Sequence, residues 1–136
     1  MKKILAIDDD EKMLRCLERV LKSRGYAIVS TDSPEEAIQI LREDATFDLV
    51  LLDVKMPRKN GFEFYRELRG FRNPPVLFVT AYPRSFNASS DDIADLWTRQ
   101  FSDGNTDVIY KPFELAALYE KVEGLIGQAG DEKEQA

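Results

Sequence analysis

The sequence predicts a doubly wound α/β fold, and three observations carry that expectation. Four short apolar runs, Ile4-Leu5-Ala6-Ile7, Leu49-Val50-Leu51-Leu52, Val76-Leu77-Phe78-Val79 and Val108-Ile109-Tyr110, are continuous rather than alternating. Such runs suit strands buried on both faces, as in a parallel sheet. Helical patterns separate them, so strand and helix alternate along the chain. Finally, each run stops at a polar group: Asp8-Asp9-Asp10, Asp53, Thr80 and Lys111. Open parallel sheets bind ligands at the carboxyl ends of their strands, so these groups are expected to converge.

The elements follow in order. A first strand covers about residues 3–8. A helix over about 11–24 places Met13, Leu14, Leu17, Val20 and Leu21 on one face, and Gly25 stops it. Ala27 to Ser30 forms a short second strand. Ser33-Pro34-Glu35-Glu36 starts the second helix, with Ser as N-cap, Pro at N1 and Glu36 closing a capping box. That helix runs to about Arg42. The third strand ends at Asp53. Asn60-Gly61 turns into a third helix with Phe62, Tyr65 and Leu68 on its apolar side. Pro74-Pro75 enforces an extended entry into the fourth strand, which ends at Thr80. Ser89-Ser90-Asp91-Asp92 caps a fourth helix carrying Ile93, Leu96, Trp97 and Phe101. Trp97 suits a core position better than a partner anchor. The fifth strand precedes Lys111. A last helix, about Phe113 to Ile126, buries Leu115, Leu118, Val122 and Leu125. Right-handed crossovers then give a flavodoxin-like (βα)5 fold with strand order 2-1-3-4-5. Residues 1–126 form one domain, and the charged, aperiodic stretch 127–136 is expected to be a flexible tail.

Composition narrows the chemistry. A chain of 136 residues buries roughly two-thirds of its unfolded surface and needs no structural cross-link. The single Cys16 lies in a helical apolar pattern and is expected to be a buried core thiol. There is no histidine, which excludes a Ser–His–Asp triad, a histidine base and a His-ligated metal. It also prevents the chain from serving as its own phosphohistidine donor. A net charge of −6 with scattered basic residues argues against nucleic-acid binding. The first apolar run is too short for a signal peptide or a membrane span, so a cytoplasmic location is expected.

The strand ends match phosphoryl chemistry. Mg²⁺ takes oxygen ligands and keeps several waters, so Asp8 and Asp9 facing Asp53 would suffice for it. Asp53 is the candidate nucleophile, since a carboxylate can accept a phosphoryl group. The backbone carbonyl of Lys55 could complete the metal shell. Thr80 offers a hydroxyl and Lys111 a positive charge to phosphoryl oxygens. Each residue also has a plainer reading. Aspartates cap helices or end strands at turns, Thr80 fills a strand, and Lys111 is a solvated lysine. Asp10 suits a cap alone. It is the joint pattern, four strand ends in order, that points to one site.

These residues resemble the receiver domain of bacterial two-component response regulators. The matching segments are Ile7-Asp8-Asp9-Asp10, Leu52-Asp53-Val54-Lys55-Met56-Pro57 with Asn60-Gly61, Thr80-Ala81, and Lys111-Pro112-Phe113, spanning about residues 3–126. The resemblance implies Asp8 and Asp9 as Mg²⁺ site acids, Asp53 as phosphoacceptor, Thr80 and Lys111 as phosphoryl ligands, and a cis Lys111-Pro112 bond. It implies a sensor histidine kinase or histidine phosphotransfer protein as donor, and a downstream protein partner on the 82–126 surface. Such a chain is a switch, not an enzyme, beyond self-phosphotransfer and slow autodephosphorylation. No nucleic acid or membrane partner is expected, and the protein is expected to be a monomer or weak dimer.

The chain departs from the family pattern in two places. The 81–110 stretch exceeds the usual length by about two helical turns. Val108 occupies the usual aromatic switch position, while Tyr110 beside the lysine shares its face by strand alternation. Lys55 and Tyr82, flanking the site, are expected to slow hydrolysis of the phosphoryl group. Two other readings remain open here. One is a phosphate-independent binding module of the same fold. The other is a haloacid-dehalogenase-type phosphohydrolase using Asp8-Asp9-Asp10.

Overall fold

A computed structural model describes residues 2–54, 60–80 and 105–127. Five parallel strands form one sheet in the order β2-β1-β3-β4-β5. They are β1 (Lys3–Ile7), β2 (Ala27–Thr31), β3 (Leu49–Leu52), β4 (Val76–Thr80) and β5 (Thr106–Tyr110). Four helices are described: α1 (Glu11–Lys22), α2 (Pro34–Glu43), α3 (Gly61–Arg69) and α4 (Leu115–Ile126). The expected loop after Thr80, the helix carrying Trp97, and the tail beyond Gly127 lie outside the described residues.

Strand alternation sorts the apolar side chains into two cores. Leu5, Ile7, Val50, Leu52, Val76 and Phe78 pack with α2 and α3, through Ala37, Ile38, Leu41, Phe64, Tyr65 and Leu68. Ile4, Ala6, Leu49, Leu51, Leu77, Val79 and Ile109 face α1 and α4, through Leu14, Leu17, Leu21, Leu118 and Val122. All four β3 side chains are buried, because this strand lies between β1 and β4 with helices on both faces. Each fully buried Leu or Ile contributes about 1.5–3 kcal/mol relative to exposure.

Several local expectations need correction. Ser33 caps α2 by accepting from the Glu36 amide at 3.1 Å, but Glu36 does not close a capping box. The Ser33 amide donates instead to the Thr31 hydroxyl, which in turn donates to the Glu36 carboxylate. Thr31 thus intervenes between the two residues. A complete capping box forms at α3, where Asn60 accepts from the Glu63 amide and Glu63 accepts from the Asn60 amide. Cys16 is half-buried, beside the α1 stripe rather than within it. Leu115 is 43% exposed, because the first turn of α4 overhangs the core that Leu118 and Val122 fill. Phe64, outside the expected α3 stripe, is completely buried.

The amino edge of the sheet ties down the last helix. Lys2 Nζ donates to the Ile126 carbonyl at 2.5 Å, and the Tyr26 hydroxyl donates to the Gly127 carbonyl at 3.0 Å. Arg24 lies 3.8 Å from the Tyr119 ring and 3.9 Å from the Glu123 carboxylate. Gly127 has φ of 80°, a left-handed conformation that costs glycine little.

Candidate functional site

Asp8 follows β1 and Asp53 follows β3, and these strands are neighbours, so parallel pairing brings both carboxylates to one edge. Backbone bonds fix them there: the Asp8 amide donates to the Thr31 carbonyl at 3.3 Å, and the Asp53 amide to the Ile7 carbonyl at 3.1 Å. Asp9 joins them. Carboxylate oxygens of Asp8, Asp9 and Asp53 lie within 4.8 Å of one another, with Asp8 and Asp53 buried and Asp9 exposed. An all-oxygen donor set of this kind fits a hard divalent cation, with Asp9 on the solvent side.

Lys111 arrives from the end of β5 across the sheet. Its Nζ lies 2.8 Å from Asp8 Oδ2 and 3.4 Å from Asp53 Oδ2, so one ammonium serves both buried acids. The Lys111-Pro112 peptide is cis. The remaining Asp8 oxygen accepts from the Asp10 amide at 3.0 Å.

Charge is crowded here. Burial raises the Asp8 carboxyl above its usual value, against the pull of Lys111, and the Asp53 charge adds to the rise. Asp9 is also raised, by partial burial and then by Asp8. Burial alone would lower Lys111, but its hydrogen bond with Asp8 and the charges of both acids outweigh that, and its value is raised. Among the described residues, three carboxylates gather around the Lys111 ammonium.

The other expected site residues fall as follows. Asp10 is the N-cap of α1 and accepts from the Lys12 and Met13 amides at 3.0 and 3.4 Å. Its side chain is committed there, so the structure does not assemble Asp8 and Asp10 as the Asp-x-Asp pair of a phosphohydrolase. Thr80 ends β4, the strand between β3 and β5, and its Cα pairs with Tyr110. Its side chain, and all of Lys55 and Tyr82, lie outside what the structure describes. Val108 packs against the core on the α2–α3 side, while Ile109 faces the α1–α4 side.

One residue at the site carries no chemistry of its own and was visible only as part of a motif. The Gly61 amide donates to the Val54 carbonyl at 2.7 Å, tying the start of α3 to the residue after Asp53. A turn dipeptide in the sequence signals the bend, not the proximity.

A family model described as the response regulator receiver domain matches residues 4–123. The chain belongs to the response regulator receiver family. Similar curated proteins include the transcriptional regulatory protein CpxR of Klebsiella pneumoniae, 32% identical over 93% of this chain and 50% of its own length. ResD of Bacillus subtilis, also a transcriptional regulatory protein, is 32% identical over 93% of this chain and 49% of its own length. This receiver thus spans about half the length of the curated relatives it matches. Among solved structures, the response regulator TrrA of Thermotoga maritima, in complex with Mg²⁺–BeF, superposes with a TM-score of 0.71. It shares 30% identity, covering 92% of this chain and 99% of that one. A two-component response regulator from Clostridium difficile has a TM-score of 0.76 at 24% identity, covering 96% and 100%, and supports the fold. Among the described residues, no helix is long and apolar enough to cross a membrane.

Proposed function

We propose that this receiver takes a phosphoryl group onto Asp53, with Mg²⁺ held by Asp8, Asp9 and Asp53. The observation that carries the reading is the bridging of Asp8 and Asp53 by Lys111, with Asp9 beside them. The Lys55 carbonyl, outside the described residues, would be a further metal ligand. When bound, the cation would neutralise the carboxylates and the incoming phosphoryl oxygens.

An Asp53 oxygen attacks phosphorus of a phosphohistidine on a kinase or phosphotransfer protein. The O–P bond forms, the N–P bond breaks, and the imidazole leaves with its electron pair. Lys111 shifts from carboxylate to a phosphoryl oxygen, and the Thr80 hydroxyl donates to another. Such transfer is mostly positioning and charge neutralisation. The new contacts stabilise one arrangement of the 82–126 surface over another, which a downstream protein reads. Water later attacks the acyl phosphate, releasing phosphate and restoring Asp53.

The receiver acts in the cytoplasm as a monomer or weak dimer, and its own contacts are with proteins rather than nucleic acid. The transcriptional role named for its relatives would belong to the part of their length that this chain does not match. Intact-protein mass after incubation with acetyl phosphate and Mg²⁺ tests the reading. One added phosphoryl group is expected on the wild type and none on Asp53→Asn. An adduct surviving in Asp53→Asn, or none on the folded wild type, would overturn it.

A further inference from the structure

Gly61 stands where any larger residue would collide with the candidate phosphoacceptor's own backbone. A Cβ built there would lie 2.7 Å from the Asp53 carbonyl oxygen, 2.7 Å from the Val54 Cα and 3.2 Å from the Asp53 carbonyl carbon. Real Cβ atoms essentially never come within 3.0 Å of such atoms, as the first two contacts would require. Torsion does not explain the glycine, because the positive-φ glycines among the described residues are Gly25 and Gly127. Gly61 opens α3 with a conformation any residue adopts, so it is space that excludes a side chain.

Neither side of this contact can yield cheaply. Asp53 continues β3, whose four residues are at most 1% exposed and are hydrogen-bonded on both sides. Gly61 begins α3, whose Phe64 and Leu68 are fully buried and whose first turn is locked by the Asn60–Glu63 box. Packed interiors transmit such strain rather than absorb it. The displacement would be shared between the start of α3 and the Asp53–Val54 backbone, directly beneath the carboxylate that faces Asp8 and Lys111.

We infer that Gly61 is a positioning residue for the acidic centre: its missing side chain lets the start of α3 set where Asp53 stands relative to Asp8 and Lys111. The inference rests on the function proposed above, and gives α3 a direct mechanical link to the acceptor. Sites of this kind tolerate only about 0.5 Å of misplacement, and a shift near 1 Å can cost about a hundredfold in rate.

The test compares Mg²⁺ affinity and the rate of phosphorylation by acetyl phosphate in wild type, Gly61→Ala and Val122→Ala. Val122 is fully buried against α1 and the sheet, so Val122→Ala lowers stability without touching the acidic centre. At a temperature where all three are folded, Gly61→Ala is expected to lose about tenfold in Mg²⁺ affinity and ten- to a hundredfold in rate. Val122→Ala is expected to stay within twofold of wild type. Gly61→Ala within twofold on both measures would overturn the inference, as would equal losses in Val122→Ala. Should Gly61→Ala fail to fold, Asn60→Ala decides. It frees the start of α3 without adding an atom, and a several-fold loss on both measures is expected, no change being contrary. Wild type that binds Mg²⁺ but gains no phosphoryl group would refute the proposed function and leave the affinity comparison to judge Gly61. Wild type that binds no Mg²⁺ would overturn both.

Discussion

Replacing Lys111 with Met should make the receiver bind Mg²⁺ more tightly while making the metal-free protein less stable. The Lys111 ammonium holds Asp8 at 2.8 Å and Asp53 at 3.4 Å, two of the three carboxylates assigned to the cation. Lysine and cation therefore compete for the same negative charge. For a single and a double charge about 6 Å apart, repulsion is about 5.5 kcal/mol at an effective dielectric of 20 and about 1.4 kcal/mol in water. Asp9 is exposed while Asp8 and Asp53 are buried, so the lower figure is the floor. It corresponds to roughly tenfold tighter binding. Without metal, the same substitution removes the ammonium partner of two buried acids, at a cost of about 3 kcal/mol. Titration calorimetry at neutral pH gives the affinity, and urea unfolding in chelator gives the stability. Met preserves the length and apolar stem of the lysine, so packing changes little. Mg²⁺ binding no tighter in Lys111→Met than in wild type would refute the competition argument.

The other expectations concern neighbouring groups. Asp10→Ala should destabilise the fold by about 1 kcal/mol through loss of the α1 cap, yet leave Mg²⁺ affinity unchanged, as calorimetry would show. Because the Asp8 and Asp9 carboxyls are raised in the folded state, the stability they favour is fully present below their unfolded value of 3.8. It is lost as pH rises through their higher folded values, and Asp8→Asn should flatten that decline in a metal-free stability profile. Lys111 is raised too, so its contribution holds below 10.5 and fades in alkali above its folded value. Phe64→Ala should cost about 3–5 kcal/mol by denaturant unfolding, since the ring is wholly enclosed between α3 and the sheet.

Much of this architecture is legible in the chain because three of its strands, β1, β3 and β4, are central, whereas the run at Val108 lies on the half-buried edge strand β5. Continuous apolar runs such as Leu49–Leu52 occur where both sheet faces are covered, and the polar residue after each run marks the binding edge. The grouping of Asp8, Asp9, Asp53 and Lys111 was legible for that reason. What escaped reading depended on particular neighbours. Glu36 has the spacing of a capping-box acid, but the Thr31 hydroxyl reaches it, and no local pattern encodes that contact. Leu115 fits the helical stripe, yet α4 begins beyond the edge of the core. Gly61 looks like a turn glycine, whereas the demand on it comes from a carbonyl eight positions earlier in the chain.

The ties on the last helix bear on how a signal could leave the domain. Lys2, Tyr26 and Arg24 grip the carboxyl end of α4 at the amino edge of the sheet, the pole opposite the acidic centre. Gly127 is therefore an anchored post. A reporter fused there would therefore be insensitive to small rearrangements around Asp53 until that grip is cut. Tyr26→Phe with Lys2→Met would turn the fixed mount into a swivel.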